Sequence, residues 1–398
     1  MRFTSSFAVF RYGPGEKVLA KARWFSREGK PADAEREYRA ALASDPDLRS
    51  AWLELFELLR GHKRHAEALE LARRAEAHFG PEAAMPLAIR GAALAELGRI
   101  REAVEALEAA IERDGNLALA WHELAYAAYR AGEYSRALLV LDRAFTLEPH
   151  TDTLLLRGRI LREAGQYDAA EVAFEGAEQS AAHDVPRREA AREILATRRA
   201  AALGKKRPRD FTVREHAFAS LGAVLLDGAA GALSPEEGAA YPMLAGCLAA
   251  LERLVGTLGW PATACCGVGA ADAPLVEAVA GAIGASVLPA SAVDAGDRPL
   301  IVAAYGDGEA WRKQLARLER WRDGCAFALA QPPDTTDPAD VVGTLRWTGD
   351  AVALHRAMPR ALDAVPPAPT PGGDEEIAAL ARHQLAQWHA RRQAGGAF

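Results

Sequence analysis

The sequence predicts a helical repeat solenoid in its first half and a compact α/β domain with a mostly parallel sheet in its second. Three observations carry this. Alanines recur at Ala34, Ala68, Ala103, Ala137 and Ala170, with spacings of 34, 35, 34 and 33 residues. A second series runs seven residues further on in the same phase, at Ala41, Ala75, Ala110, Ala144 and Ala177. From Asp210 the pattern changes to short continuous apolar runs separated by amphipathic stretches. A fixed period of this length is the mark of stacked supersecondary units.

The chain has 398 residues and a formal net charge of −6, about −2 on residues 1–203 and −4 on residues 204–398. Neither half is basic, so the electrostatic footprint of a nucleic-acid binder is missing. Residues 1–14 form an N-terminal extension whose apolar stretch is broken by Arg11 and lacks the longer apolar region of a signal peptide. No run of about 20 apolar residues marks a membrane span, so a cytoplasmic location is expected. The four cysteines, Cys247, Cys265, Cys266 and Cys325, have no zinc spacing, and the adjacent Cys265 and Cys266 read as small hydrophobes in a buried strand of a reducing compartment.

Residues 15–203 divide into five helix pairs, A and B, and a capping helix from about Pro186 to Leu203. Alanine is required where one helix crosses its neighbour closely, because only a small side chain fits. Tyr38, Leu107, Leu141 and Phe174 lie midway between the paired alanines and fill the remaining gaps. Gly29, Gly98, Gly132 and Gly165 separate A from B as helix C-caps, and Pro46 and Pro149 end their B helices. An array of this kind needs a cap to cover its last apolar face.

This stretch resembles the tetratricopeptide repeat family. The fourth copy carries Trp121, Leu124, Gly132, Tyr134, Ala137, Ala144 and Pro149; the second carries Trp52, Leu55, Ala68 and Ala75; Gly91 and Gly158 match the family's helix-A glycine. Lys63 departs from the pattern by replacing the turn glycine of the second copy. The resemblance implies that the A helices line a concave groove that holds a protein or peptide segment. Candidate groove residues are Arg23 and Arg27 in the first copy, Arg60 in the second, His122, Tyr126, Tyr129 and Arg130 in the fourth, and Arg159 and Arg162 in the fifth. Tyrosine beside arginine is the pairing that anchors interfaces. In the third copy the same positions are Ala88, Ala92 and Ala95, which leave room for a ligand backbone. Self-association into a homo-oligomer is an open alternative.

Residues 204–209 form a short basic linker, read as a solvated hinge. Residues 210–356 hold apolar runs of strand length at 223–226, 262–268, 286–288, 300–304 and 325–329, with helical stretches at 241–258, 273–283 and 309–321. That alternation predicts a parallel sheet with helices on both faces. Ligands of such sheets bind at the carboxyl ends of the strands. Two loops fall there: Gly267, Gly269 and Asp272 after one strand, and Gly306, Asp307 and Gly308 after another. The first opens like G-x-G-x-x-G but places Asp272 at the third glycine, where it reads as the N-cap of the next helix.

The element order of this half is similar to the phosphoribosyltransferase fold, and in outline to a Rossmann-like domain. The acids that the phosphoribosyltransferase family places on the relevant strand are replaced by Ala303, Ala304 and Tyr305. The resemblance therefore implies at most a degenerate relative, and no cofactor, metal or catalytic residue is expected. Residues 357–373 are rich in Pro, Ala and Gly and read as a linker. Residues 374–398 form a C-terminal amphipathic helix with Ile377, Leu380, Ala381, Leu385 and Trp388 on its apolar stripe, expected to pack within the chain.

The reading as a whole is an intracellular interaction protein with a non-catalytic α/β module. The alternative is a nucleotide- or phosphosugar-binding enzyme or sensor whose repeat array recruits partners.

Overall fold

The computed structural model describes residues 14–229, 232–234, 240–260, 262–294, 297–318, 324–335, 337–348, 350–367, 369 and 372–393. The chain divides into two compact units, Met1–Ala190 and Ala191–Phe398.

The first unit is built of helix pairs: α1 (Pro14–Arg27) with α2 (Pro31–Ser44), α3 (Arg49–Gly61) with α4 (His65–Phe79), α5 (Ala84–Glu96) with α6 (Ile100–Arg113), α7 (Ala118–Arg130) with α8 (Tyr134–Leu147), and α9 (Thr151–Glu163) with α10 (Tyr167–Ser180). Helix α11 (Asp184–Ala202) follows as the expected cap. Every alanine of the two periodic series is buried, none more than 2 % exposed.

The third and fifth copies show why glycine is needed on helix A. A Cβ on Gly91 would lie 2.5 Å from Leu107 Cγ, and one on Gly158 would lie 2.5 Å from Phe174 Cε1. The large residue midway between the alanines therefore sits directly on the glycine of the facing helix.

Each A helix closes in the same way. The residue after the turn glycine donates its N–H to a carbonyl five residues back: Lys30 to Phe25 at 3.0 Å, Arg99 to Leu94 at 2.9 Å, Glu133 to Ala128 at 2.9 Å, Gln166 to Leu161 at 2.8 Å. In the second copy Arg64 makes this bond to Leu59 at 3.0 Å, and Lys63 takes the left-handed conformation at φ 58°. The departure from glycine leaves the turn geometry unchanged and places a side chain where its Cβ is strained.

The second unit contains a six-stranded parallel sheet: β1 (Val224–Leu225), β2 (Ala264–Gly267), β3 (Ser286–Val287), β4 (Pro299–Tyr305), β5 (Cys325–Ala330) and β6 (Val341–Thr344) in the order β1-β6-β5-β4-β2-β3. Alternate residues face opposite layers. Leu300, Val302, Ala304, Phe327 and Leu329 join one core with helices α13 (Ala240–Leu258), α14 (Ala273–Ile283), α16 (Ala351–Asp363) and α17 (Gly373–Gln393). Ile301, Ala303, Ala326 and Ala328 join the other with α12 (Val213–Leu221) and α15 (Gly308–Leu318), where Trp311 is fully buried.

Three features of this unit differ from expectation. Strand β6 and helix α12 were not anticipated. Helix α16 runs through Pro359 to Asp363 and so occupies the start of the segment read as a linker from residue 357. The apolar side chains of α16, Leu354, Ala357, Met358 and Ala361, are buried on the sheet, and that burial outweighs the hydrogen bond proline removes. Helix α17 packs on α13, α12 and β1 with Ile377, Leu380 and Ala381 buried; the side chains of Leu385 and Trp388 lie outside the described residues. In the basic linker, Lys206 pairs with Glu215 at 2.6 Å and Arg207 with Asp210 at 3.5 Å.

Candidate functional site

The A helices of neighbouring copies touch side by side, and the contacts between them run through the residues singled out from the sequence. Arg23 on α1 grips Glu54 on α3, with Nε 2.9 Å from Oε2 and Nη2 2.5 Å from Oε1. The hydrogen bond to Glu54 raises the Arg23 pKa further, against the opposing effect of burial. Arg27 is exposed, and its Nε donates to the Arg23 carbonyl at 3.4 Å.

Arg60 on α3 donates to Glu123 Oε1 on α7 at 2.7 Å and pairs with Glu57 at 2.9 Å. The Glu123 side chain is only 2 % exposed. Burial alone would lower the Arg60 pKa, but the two carboxylates outweigh it and raise it. Glu57 is pushed up, chiefly by burial.

In the fourth copy His122 lies beside Thr153 of α9, with Nδ1 and Oγ1 3.4 Å apart. Burial pushes its pKa below the ordinary histidine value. The Tyr126 hydroxyl meets Glu96 of α5 at 3.3 Å and accepts from Arg130 at 3.0 Å, whose guanidinium also lies over the Tyr126 ring. Tyr129 lies tilted against Tyr126 and Tyr134, with ring centroids 6.4 and 6.2 Å away. Burial is the main cause that raises the pKa of both Tyr126 and Tyr129. Arg159 bonds Glu189 of α11 at 2.5 Å, and Arg162 covers the Phe174 ring.

Carboxylates of the array hold Arg23, Arg60, Arg130 and Arg159, whereas Arg162 lies over Phe174 of α10. Tyr126 and Tyr129 are half-buried and pack against the core of the array. Glu123 escaped the sequence reading because its partner is 63 positions away and no local motif joins them. Its one signal is an acid at an inward helical position beside Leu124 and Ala125.

In the second unit, both glycine loops lie at the carboxyl ends of neighbouring strands. With β1 set aside, the order β3-β2-β4-β5-β6 reverses direction at β2 and β4, the topological switch point of a doubly wound sheet. The loop of Gly267, Gly269 and Asp272 follows β2; the loop of Gly306, Asp307 and Gly308 follows β4.

Asp272 stands at the N-cap position of α14, yet its carboxylate does not cap that helix. It accepts from Gly269 N at 2.9 Å, from Ala304 N at 2.9 Å and meets His355 Nε2 at 3.0 Å. The N-cap reading is corrected accordingly. Two backbone donors and an imidazole draw this buried carboxylate back toward the loop and β4, and Pro274 in the first turn of α14 has no N–H that needs an acceptor. Gly306 is walled in by Ala328 and by Gln331, whose amide donates to the Gly306 carbonyl at 2.7 Å. Gly308 N donates to Asp307 Oδ1 at 2.7 Å. His355 went unnoticed in the sequence because it lies on α16, 83 positions from Asp272. Among the described residues no group of three or more His, Cys, Asp or Glu could hold a metal ion.

Comparison with known proteins identifies the repeats. The family model described as "Tetratricopeptide repeat" matches residues 19–84, 90–150 and 122–185. Among solved structures, the chain is similar to TTC0263, a thermophilic TPR protein of Thermus thermophilus, at 19% identity over 46% of this chain and 99% of that one, with a TM-score of 0.41. It is similar to the APC/C hetero-tetramer Cut9-Hcn1 at 21% identity over 52% of this chain and 40% of that one, TM-score 0.42. PilF of Pseudomonas aeruginosa is similar at 23% identity over 44% of this chain and 81% of that one, TM-score 0.32. No curated protein matches the chain. Residues 19–185 are tetratricopeptide repeats.

Proposed function

We propose that this is an intracellular interaction protein whose repeat array, residues 15–203, docks an extended or helical segment of a partner protein on the A-helix face. The α/β half is proposed to act as a second, non-catalytic module. The observation that carries the reading is the aromatic pair Tyr126 and Tyr129 on that face, half-buried and flanked by Arg130. Tyrosine offers a large rigid surface while ordering few torsions, and it needs no free countercharge. The arginines act chiefly by fixing the face, because carboxylates of the array engage Arg23, Arg60, Arg130 and Arg159.

Affinity capture with the full-length chain tests this. Tyr126→Ala/Tyr129→Ala is expected to keep its helical circular dichroism and lose the captured partner, each true anchor contributing about 2 kcal/mol or more. Capture at full strength by a folded double variant would remove this face from consideration.

A second reading, a nucleotide- or phosphosugar-binding site in the α/β half, is favoured by the position of the two glycine loops beside the switch point. Against it, the Asp272 and Asp307 carboxylates already accept backbone N–H groups of their own loops. Calorimetry with a nucleotide panel separates the readings: a saturable micromolar signal lost in Gly269→Val or Asp307→Ala would establish the second.

A further inference from the structure

A second recess lies on the array away from the tyrosine face. It is a cavity of about 520 Å³ between α2, α3 and α4. Leu42, Trp52 and Leu55 form its apolar lining, and Arg39, Arg74 and His78 are its cationic or basic members. Its volume falls within the range typical of ligand pockets, about 300–1,000 Å³.

The floor is fixed. Trp52 donates its indole N–H to the Pro46 carbonyl at 2.8 Å, and His78 stacks on the indole at an interplanar angle of 20°. The rim is uneven in charge. No carboxylate lines the cavity. Glu35 holds Arg39 at 2.8 Å, and Asp47 holds His78 at 2.8 Å. Arg74 is exposed, its guanidinium lies 5.9 Å from the Trp52 ring centroid, and no carboxylate of the described residues pairs with it.

We propose that this cleft binds an acidic peptide segment, inserting one bulky apolar side chain beside Trp52 and placing an adjacent carboxylate on Arg74. A guanidinium aligned on an aromatic face keeps its in-plane N–H donors free for a two-pronged carboxylate contact. An apolar floor under a cationic rim selects apolar and acidic groups together, and it rejects basic segments by like charge. The surface is separate from the tyrosine face, so it gives the array a second and independent binding position.

The test is fluorescence anisotropy on the full chain with a labelled peptide of glutamates surrounding one phenylalanine, beside the same peptide with lysines in place of the glutamates. The expected result is saturable binding of the acidic peptide that weakens as salt rises, with no saturable binding of the basic one. Arg74→Glu and Ala43→Tyr, the second filling the cleft from an exposed position of α2, should each weaken binding at least tenfold with melting temperature retained. Tyr126→Ala/Tyr129→Ala should bind as the parent does. A flat titration, equal binding of the basic peptide, undiminished binding by both cleft variants, or loss of binding in the tyrosine variant would each overturn the proposal.

Discussion

Arg60 on α3 and Glu123 on α7 meet at 2.7 Å although a whole helix pair separates them in sequence. The intervening helix α5 carries small buried residues at Ala88, Ala92 and Ala95. Removing Arg60 leaves a carboxylate that is 2 % exposed without its cation. Arg60→Ala is therefore expected to cost about 3 kcal/mol by urea unfolding, whereas replacing both partners with apolar residues should recover most of that. A cost of Arg60→Ala below about 1 kcal/mol would mean that solvent screens the pair.

The glycines of the repeats divide into those that cannot carry a side chain and those that can. Gly158→Ala drives a methyl into Phe174 and should destabilise by about 1–3 kcal/mol. Gly176 lies within α10, and a Cβ there would find its nearest neighbour beyond its own helix, Leu154 Cδ1, at an ordinary 3.7 Å. Gly176→Ala should stabilise by about 0.5–1 kcal/mol through helix propensity. The two melting temperatures should move in opposite directions.

Lys63 is the one non-glycine residue with positive φ among the described residues. Lys63→Gly is expected to stabilise the array by about 1 kcal/mol, because the left-handed conformation costs an L residue roughly 1–2 kcal/mol and the gain is offset in part by the entropy of glycine. A thermal scan that shows a loss would place a compensating contact on the lysine side chain.

His122 gives a pH signature. Its folded pKa lies below the unfolded value near 6.5 because burial disfavours the charged imidazole. Between those values the unfolded chain binds the extra proton and the folded chain does not, so this histidine's contribution is fully present above about pH 6.5 and is lost as pH falls through that window. The stability difference between the parent and His122→Gln should shift toward the variant as pH drops from about 7.5 to about 5. A pH-independent difference would mean that the imidazole is solvated.

Much of the solenoid was legible in the sequence, because close helix crossings restrict side-chain size at fixed intervals and alanine records that restriction directly. The parallel sheet was legible for the same kind of reason. Strands buried on both faces, such as the run 300–304, read as continuous apolar stretches. What escaped is what depends on distant pairing. Strand β6 is four residues long, contains Gly343 and owes its place to β5 and β1. Helix α16 contains Pro359 within a segment whose composition resembles a linker. At the candidate site, the residue types on the A-helix face were readable, whereas the engagement of Arg60 by Glu123 and of Asp272 by His355 spans 63 and 83 positions and leaves no local trace.

The A-helix face around Tyr126 and Tyr129 is proposed to receive a partner polypeptide. Site-specific photo-crosslinking tests it most directly. A benzophenone amino acid is placed at position 126 or 129, or at position 139 on α8, where Leu139 is 74 % exposed. A discrete partner adduct is expected from positions 126 and 129 and none from 139. An adduct formed only from position 139, with the folded variants at 126 and 129 silent, would contradict it.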